Sequence, residues 1–99
     1  MDRRPELGDI FRRICPNVYF QPPASISMKY PCIRYQRERI DNSSANNGVY
    51  IQDVAYQVTV IDPDPDSEIV QKVSLLPMCR FNRHYTANNL NHDVFLIYY

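Results

Sequence analysis

The residues of this chain that could do chemistry are few, and their spacing argues against most of it. Asp62, Asp64, Asp66 and Glu68 alternate like the opening of a calcium loop. Such a loop needs Gly at its sixth position and a bidentate Glu at its twelfth. Here those positions hold Ser67 and Val73, so the carboxylates read as strand-stopping and helix-capping residues. Cys79, His84 and His92 carry metal-binding atoms, but no Cys-x-x-Cys pair accompanies them and their spacing matches no zinc pattern. A nucleophilic Ser or Cys needs a base to orient it. Cys32 opens an apolar strand and Cys79 precedes another, and no motif ties either to a His. With only two glycines there is no phosphate-cradling loop of the usual kind. The expectation is a protein without catalytic, cofactor-binding or metal site.

What remains points to binding. Arg34, Arg37 and Arg39 alternate with Tyr35 and Gln36, and basic and aromatic residues on a projecting strand can touch nucleic acid. Eleven basic residues balance eleven acidic ones, however, and a general nucleic-acid binder shows a basic excess. A hairpin with cross-strand ion pairs, or a protein interface, accounts for the arginines better. Tyr occurs eight times, against four Phe and no Trp, and Tyr suits surfaces that become interfaces. Cys15, Cys32 and Cys79 are an odd, widely spaced set and read as reduced, partly buried thiols, not a disulfide framework. The start of the chain lacks the apolar stretch of a signal peptide, and the run Val94 to Tyr99 is far too short to span a membrane. A cytosolic origin is therefore expected, and the Asn42-Ser43-Ser44 glycosylation triplet is then chance.

Ninety-nine residues, 44% of them hydrophobic, suffice for one domain with a core and are too few for two. Leu7, Ile10, Phe11 and Ile14 form one stripe of an amphipathic helix that Pro16 stops. Val18 to Phe20 reads as a short strand and Cys32 to Ile40 as a second. The second half of that strand, Gln36 to Arg39, is polar on both faces and should project past the core. Residues 41–48 form a turn-rich loop. In the third strand, Val49 to Ile61, Tyr50, Val54, Tyr56, Val58 and Val60 share one face and Asp53, Gln57 and Thr59 the other. Asp64 is expected to cap a second helix with Pro65 at its first position, and Pro77 to end it. Met78 to His84 and Asn91 to Tyr99 read as two last strands, joined by a loop from Tyr85 to Asn89. The apolar ending Val94 to Tyr99 implies a strand that is either central in the sheet, the simpler arrangement, or covered by a partner. The fold class is α+β: an antiparallel sheet of four to five strands, two helices on one face and a projecting β-hairpin.

Several segments together carry a resemblance. They are Val18-Tyr19-Phe20-Gln21-Pro22-Pro23, Met28-Lys29-Tyr30-Pro31-Cys32-Ile33-Arg34-Tyr35, Tyr56-Gln57-Val58-Thr59-Val60-Ile61-Asp62 and Leu90-Asn91-His92-Asp93-Val94-Phe95. In order and composition the chain resembles the small tail terminator, or tail completion, proteins of long-tailed bacteriophages, from about the first helix onward. The resemblance implies a hexameric ring that caps the finished tail tube and stops its polymerisation. Such a ring meets the head-side connector, and DNA passes through its lumen without sequence-specific binding. It also implies a virion protein of the head–tail junction, made in the bacterial cytoplasm. On that reading Arg37, Glu38, Arg39, Asn42, Ser43, Ser44, Asn46 and Asn47 would make inter-subunit or lumen contacts. The competing expectations are a head-completion (stopper) protein of the same junction, and a small cytosolic regulatory binding module.

Overall fold

The apolar stripe makes α1 (Arg4–Ile14), with Leu7 and Phe11 fully buried and Arg12 and Arg13 turned to solvent. The computed structural model describes residues 4–23, 25–44 and 50–99, of which 4, 40–44 and 50–53 are described by backbone alone. Five strands follow: β1 (Val18–Phe20), β2 (Cys32–Ser44), β3 (Tyr50–Asp62), β4 (Cys79–Ala87) and β5 (Leu90–Tyr98), with α2 (Glu68–Ser74) between β3 and β4. They form one sheet in the order β1-β2-β3-β5-β4. Val73 of α2 shares a core cluster with Leu7 and Phe11, so both helices lie on one face of an α+β fold. β5 sits between β3 and β4, the simpler of the two arrangements its apolar run allows. The sheet is antiparallel except at β1, which runs parallel to β2. A parallel pair needs a crossover between its strands, where a tight turn would have made an antiparallel hairpin.

Three local expectations are corrected. The second helix is not capped by Asp64, and Pro65 is not in it. Ser67 is the cap, its Oγ accepting the Val70 N–H at 3.4 Å. Asp62 and Asp64 instead accept the backbone N–H groups two residues on, at 2.8 and 2.9 Å, and shape the turn before the cap. The expected loop 85–89 shrinks to Asn88 and Asn89, with φ of 54° and 62°. Two consecutive left-handed residues match the twist of a hairpin, and Asn tolerates that conformation, so pairing runs on to Ala87↔Leu90. β2 also continues past Ile40 to Ser44; Val49, expected at the start of β3, lies outside the described residues.

The core is built between the helices and the face carrying Ile33, Tyr35, Val54, Tyr56, Val58, Val60, Phe95 and Ile97. Tyr35 is its centre. Its ring meets Phe11 edge-on at 5.0 Å, Phe20 at 4.9 Å and Tyr56 at 6.2 Å. Each such aromatic pair adds roughly 0.5–1.5 kcal/mol beyond burial alone. The hydroxyl end of Tyr35 reaches α1 at Gly8, where a Cβ would sit 2.8 Å from Oη.

Helix propensity alone favours Ala over Gly by about 1 kcal/mol. Tyr35 is held by three rings and cannot withdraw. Gly8→Ala is therefore expected to destabilise the fold by about 1–3 kcal/mol in urea unfolding. In a Tyr35→Phe background, which lacks the hydroxyl, the same change should stabilise. Equal costs in both backgrounds would refute this packing.

Candidate functional site

A β-bulge at Glu38 decides where the arginines of β2 go. The register shifts between Arg37 and Arg39, so Arg37 stands opposite Tyr56 and Arg39 opposite Ala55. One extra residue on a strand breaks the alternation of faces. Arg37 thus joins the helix-bearing face, its guanidinium 5.9 Å from the Phe20 ring and its N–H donated to Gln21 Oε1 at 3.1 Å. Arg39 joins the opposite face, where it lies 5.8 Å from the Tyr98 ring and donates to the Tyr98 hydroxyl. Glu38 is exposed on the bulge. Asn42, Ser43 and Ser44 pair in register with Gln52, Ile51 and Tyr50. The β3–β5 pairing ends at Ala55↔Tyr98, so beyond it β2 and β3 continue as a hairpin without a third strand. Asn46 and Asn47 lie outside the described residues.

The face turned away from the helices is organised in rows across the sheet. One row reads Arg34, Thr59, Val94, Arg83; the next reads Gln36, Gln57, Leu96, Arg80; a third reads Arg39, Ala55, Tyr98. A fourth, at the other end, reads Cys32, Ile61, His92, Tyr85. No position in these rows holds Asp or Glu. The arginines stand on the flanking strands β2 and β4 and are exposed, whereas Ala55, Thr59, Ile61 and Val94 on the central strands are buried between them. Arg34, Arg80 and Arg83 form no ion pair among the described residues. Tyr85 stacks on His92 at 4.6 Å and carries Arg83 at 5.4 Å. A second bulge, between Phe81 and Arg83, brings Arg80 and Arg83 onto this same face.

A different surface opens at the β4 edge on the helix side. Leu7, Ile10, Leu76, Pro77, Met78 and Ile97, with Tyr98 and Tyr99, line an apolar cavity of about 330 Å³. Beside it Leu75, Met78 and Phe81 are 83%, 69% and 58% exposed. Met78 holds φ at 59°, a conformation that L side chains rarely adopt. Sequence reasoning missed this surface. An apolar run after a helix, Leu75-Leu76-Pro77-Met78, was its only signal, and such a run reads equally well as core.

The residues considered as metal ligands are not brought together. Cys79 stands opposite Ile97, and His84 stands opposite Asp93 and bonds its Oδ1 at 2.9 Å. His92 lies on the opposite face against Tyr85. Among the described residues no group of three His, Cys, Asp or Glu is placed to hold a metal. The described cysteines are buried or half-buried free thiols. Burial pushes all three upward from the ordinary thiol value of 9.0, and pushes Cys32 up to about 12.

The folded chain therefore keeps thiol protons that the unfolded chain releases above pH 9. Stability should fall as pH rises from about 9 toward 12, with Cys32 contributing a slope of up to about 1.4 kcal/mol per pH unit. Urea unfolding across that range checks this, and Cys32→Ala should flatten the decline. No family model matches the chain, and no curated protein matches it either.

Proposed function

We propose that this chain is a structural assembly protein of the head–tail junction of a long-tailed phage. It acts there as a tail terminator, forming a ring on the head-proximal end of the tail tube. In this role it ends tube polymerisation and presents a docking surface to the head-side connector, while DNA passes through the ring without sequence-specific contact. The partners are further copies of itself, the tube protein and the connector. The observation that carries the reading is the unfinished β4 edge: a small domain leaves Leu75, Met78 and Phe81 in solvent around an open apolar cavity. Exposed apolar surface around a concavity marks a site of association. The hairpin of β2 and β3, continuing beyond the sheet, supports the same reading by extending the molecule to 52 Å along its longest axis. The resemblance of the segments around Tyr19, Pro31, Val58 and His92 supplies the phage context.

Immunoelectron microscopy of purified virions with antibody to this chain tests the placement. Label at the head–tail junction is expected; its absence from virions removes the tail-terminator reading. A second test addresses the edge. Leu75→Glu with Met78→Glu changes side chains that make little internal contact, so the unfolding free energy should move by no more than about 0.5 kcal/mol per site. Tail termination, scored as the fraction of tails of normal length, should be lost. Normal tails from this variant would show that the β4 edge is not used.

A further inference from the structure

We propose that the arginine-bearing open face of the sheet receives the acidic turn at residues 62–68 of a second copy of this chain. This specifies a contact that the ring reading requires, and to that extent rests on it. The chain is neutral overall, yet it holds two local stretches of opposite sign. The four rows described above carry Arg34, Arg39, Arg80 and Arg83 and no carboxylate, and the next register pair on that side, beyond Arg39, is Asp41↔Asp53. The turn between β3 and α2 carries Asp62, Asp64, Asp66 and Glu68 and no Lys or Arg. Asp64, Asp66 and Glu68 are exposed, and the Asp62 and Asp64 carboxylates hold the turn's backbone through their own hydrogen bonds. The turn thus presents its charges on an ordered frame.

One molecule cannot satisfy both surfaces. Asp62 lies in register with Asn91 at the end of β3, and from there the turn leads to α2, which packs on the helix-bearing face. The arginines point away from that face. Contact between the two surfaces must therefore join different copies through unlike patches, the arrangement that closes into rings or extends into filaments. The dimensions allow it. β2 and β4 are three strand spacings apart, ~14 Å, and the floor between them is made of Gln57, Thr59, Val94 and Leu96. Arginine's planar fork matches carboxylates in pairs. A nucleic acid fits this face less well. The tyrosine rings that single strands would need for stacking are engaged, Tyr85 by His92 and Arg83, and Tyr98 by Arg39.

The test is sedimentation velocity of the purified full chain, at low and high salt, with charge-reversed variants. Wild type should self-associate at low salt and dissociate as salt rises. Arg34→Glu with Arg83→Glu should weaken association about tenfold or more, as should Asp66→Arg with Glu68→Arg. Combining all four changes in one chain, or mixing the two double variants, should restore it. Circular dichroism checks folding, and Arg34→Gln with Arg83→Gln replaces the first variant if it unfolds. Double variants that associate like wild type overturn the proposal, as does a wild-type chain monomeric at every concentration. So does duplex DNA binding that the arginine changes abolish while association stays intact. Virion microscopy reads the phage assignment separately: absence from virions with a successful charge swap would discard that assignment and keep the contact.

Discussion

The structure hangs on one crowded contact: the Tyr35 ring among Phe11, Phe20 and Tyr56, with its hydroxyl against Gly8. Tyr35 comes from β2, Phe11 from α1, Phe20 from β1 and Tyr56 from β3. One side chain therefore fixes the helix, the parallel edge strand and the long hairpin relative to one another. The helix can approach so closely only because position 8 has no side chain. Close-packed interiors transmit any misfit, so a change at this contact is felt by all four elements.

The central strands must serve two faces. Val58 and Val60 of β3 face the helices, while Ala55, Thr59 and Ile61 face the other way and are nevertheless buried. Among the described residues no helix covers that second side, and the long arginine and tyrosine side chains at the ends of its rows stand around it. Arginine suits that place because its stem can cover apolar surface while its head stays in water. Bordering the buried strands and creating a positive surface are here the same act. Four of the eleven acidic residues stand close together at the turn after β3.

Much of the fold was legible because period and punctuation agree. The stripe of Leu7 and Phe11, the alternation of Val54 to Val60 and the apolar ending of β5 each point to one arrangement, and the structure adopts it. What was not legible depends on single residues that break a period. The same alternation would put Arg37 and Arg39 on one face; the bulge at Glu38 separates them, and nothing in the local composition announces it. Asp64 is as good a cap by type as Ser67, and only the three-dimensional path of the turn decides between them. The candidate surfaces were partly read. The arginines of β2 were recognised, but Arg80 and Arg83 join them only through strand order, which spans the chain from β2 to β4. The exposure of Leu75 and Met78 follows from how α2 ends against β4, not from their apolar type.

The bulge at Glu38 also works as a hinge pin under a lever. Past it, β2 and β3 run on for several residue pairs with no third strand to hold them, at about 3.3 Å per residue. A bulge bends and overtwists its strand, so the direction in which this arm leaves the body is set by one inserted residue. A small change of angle there becomes a displacement of several ångströms at Ser44 and Tyr50. A shorter or straighter arm on the same domain would end at a different point in space. Insertion or loss of a single residue at this point thus redirects the arm while leaving the core residues of β2 and β3 before the bulge in place.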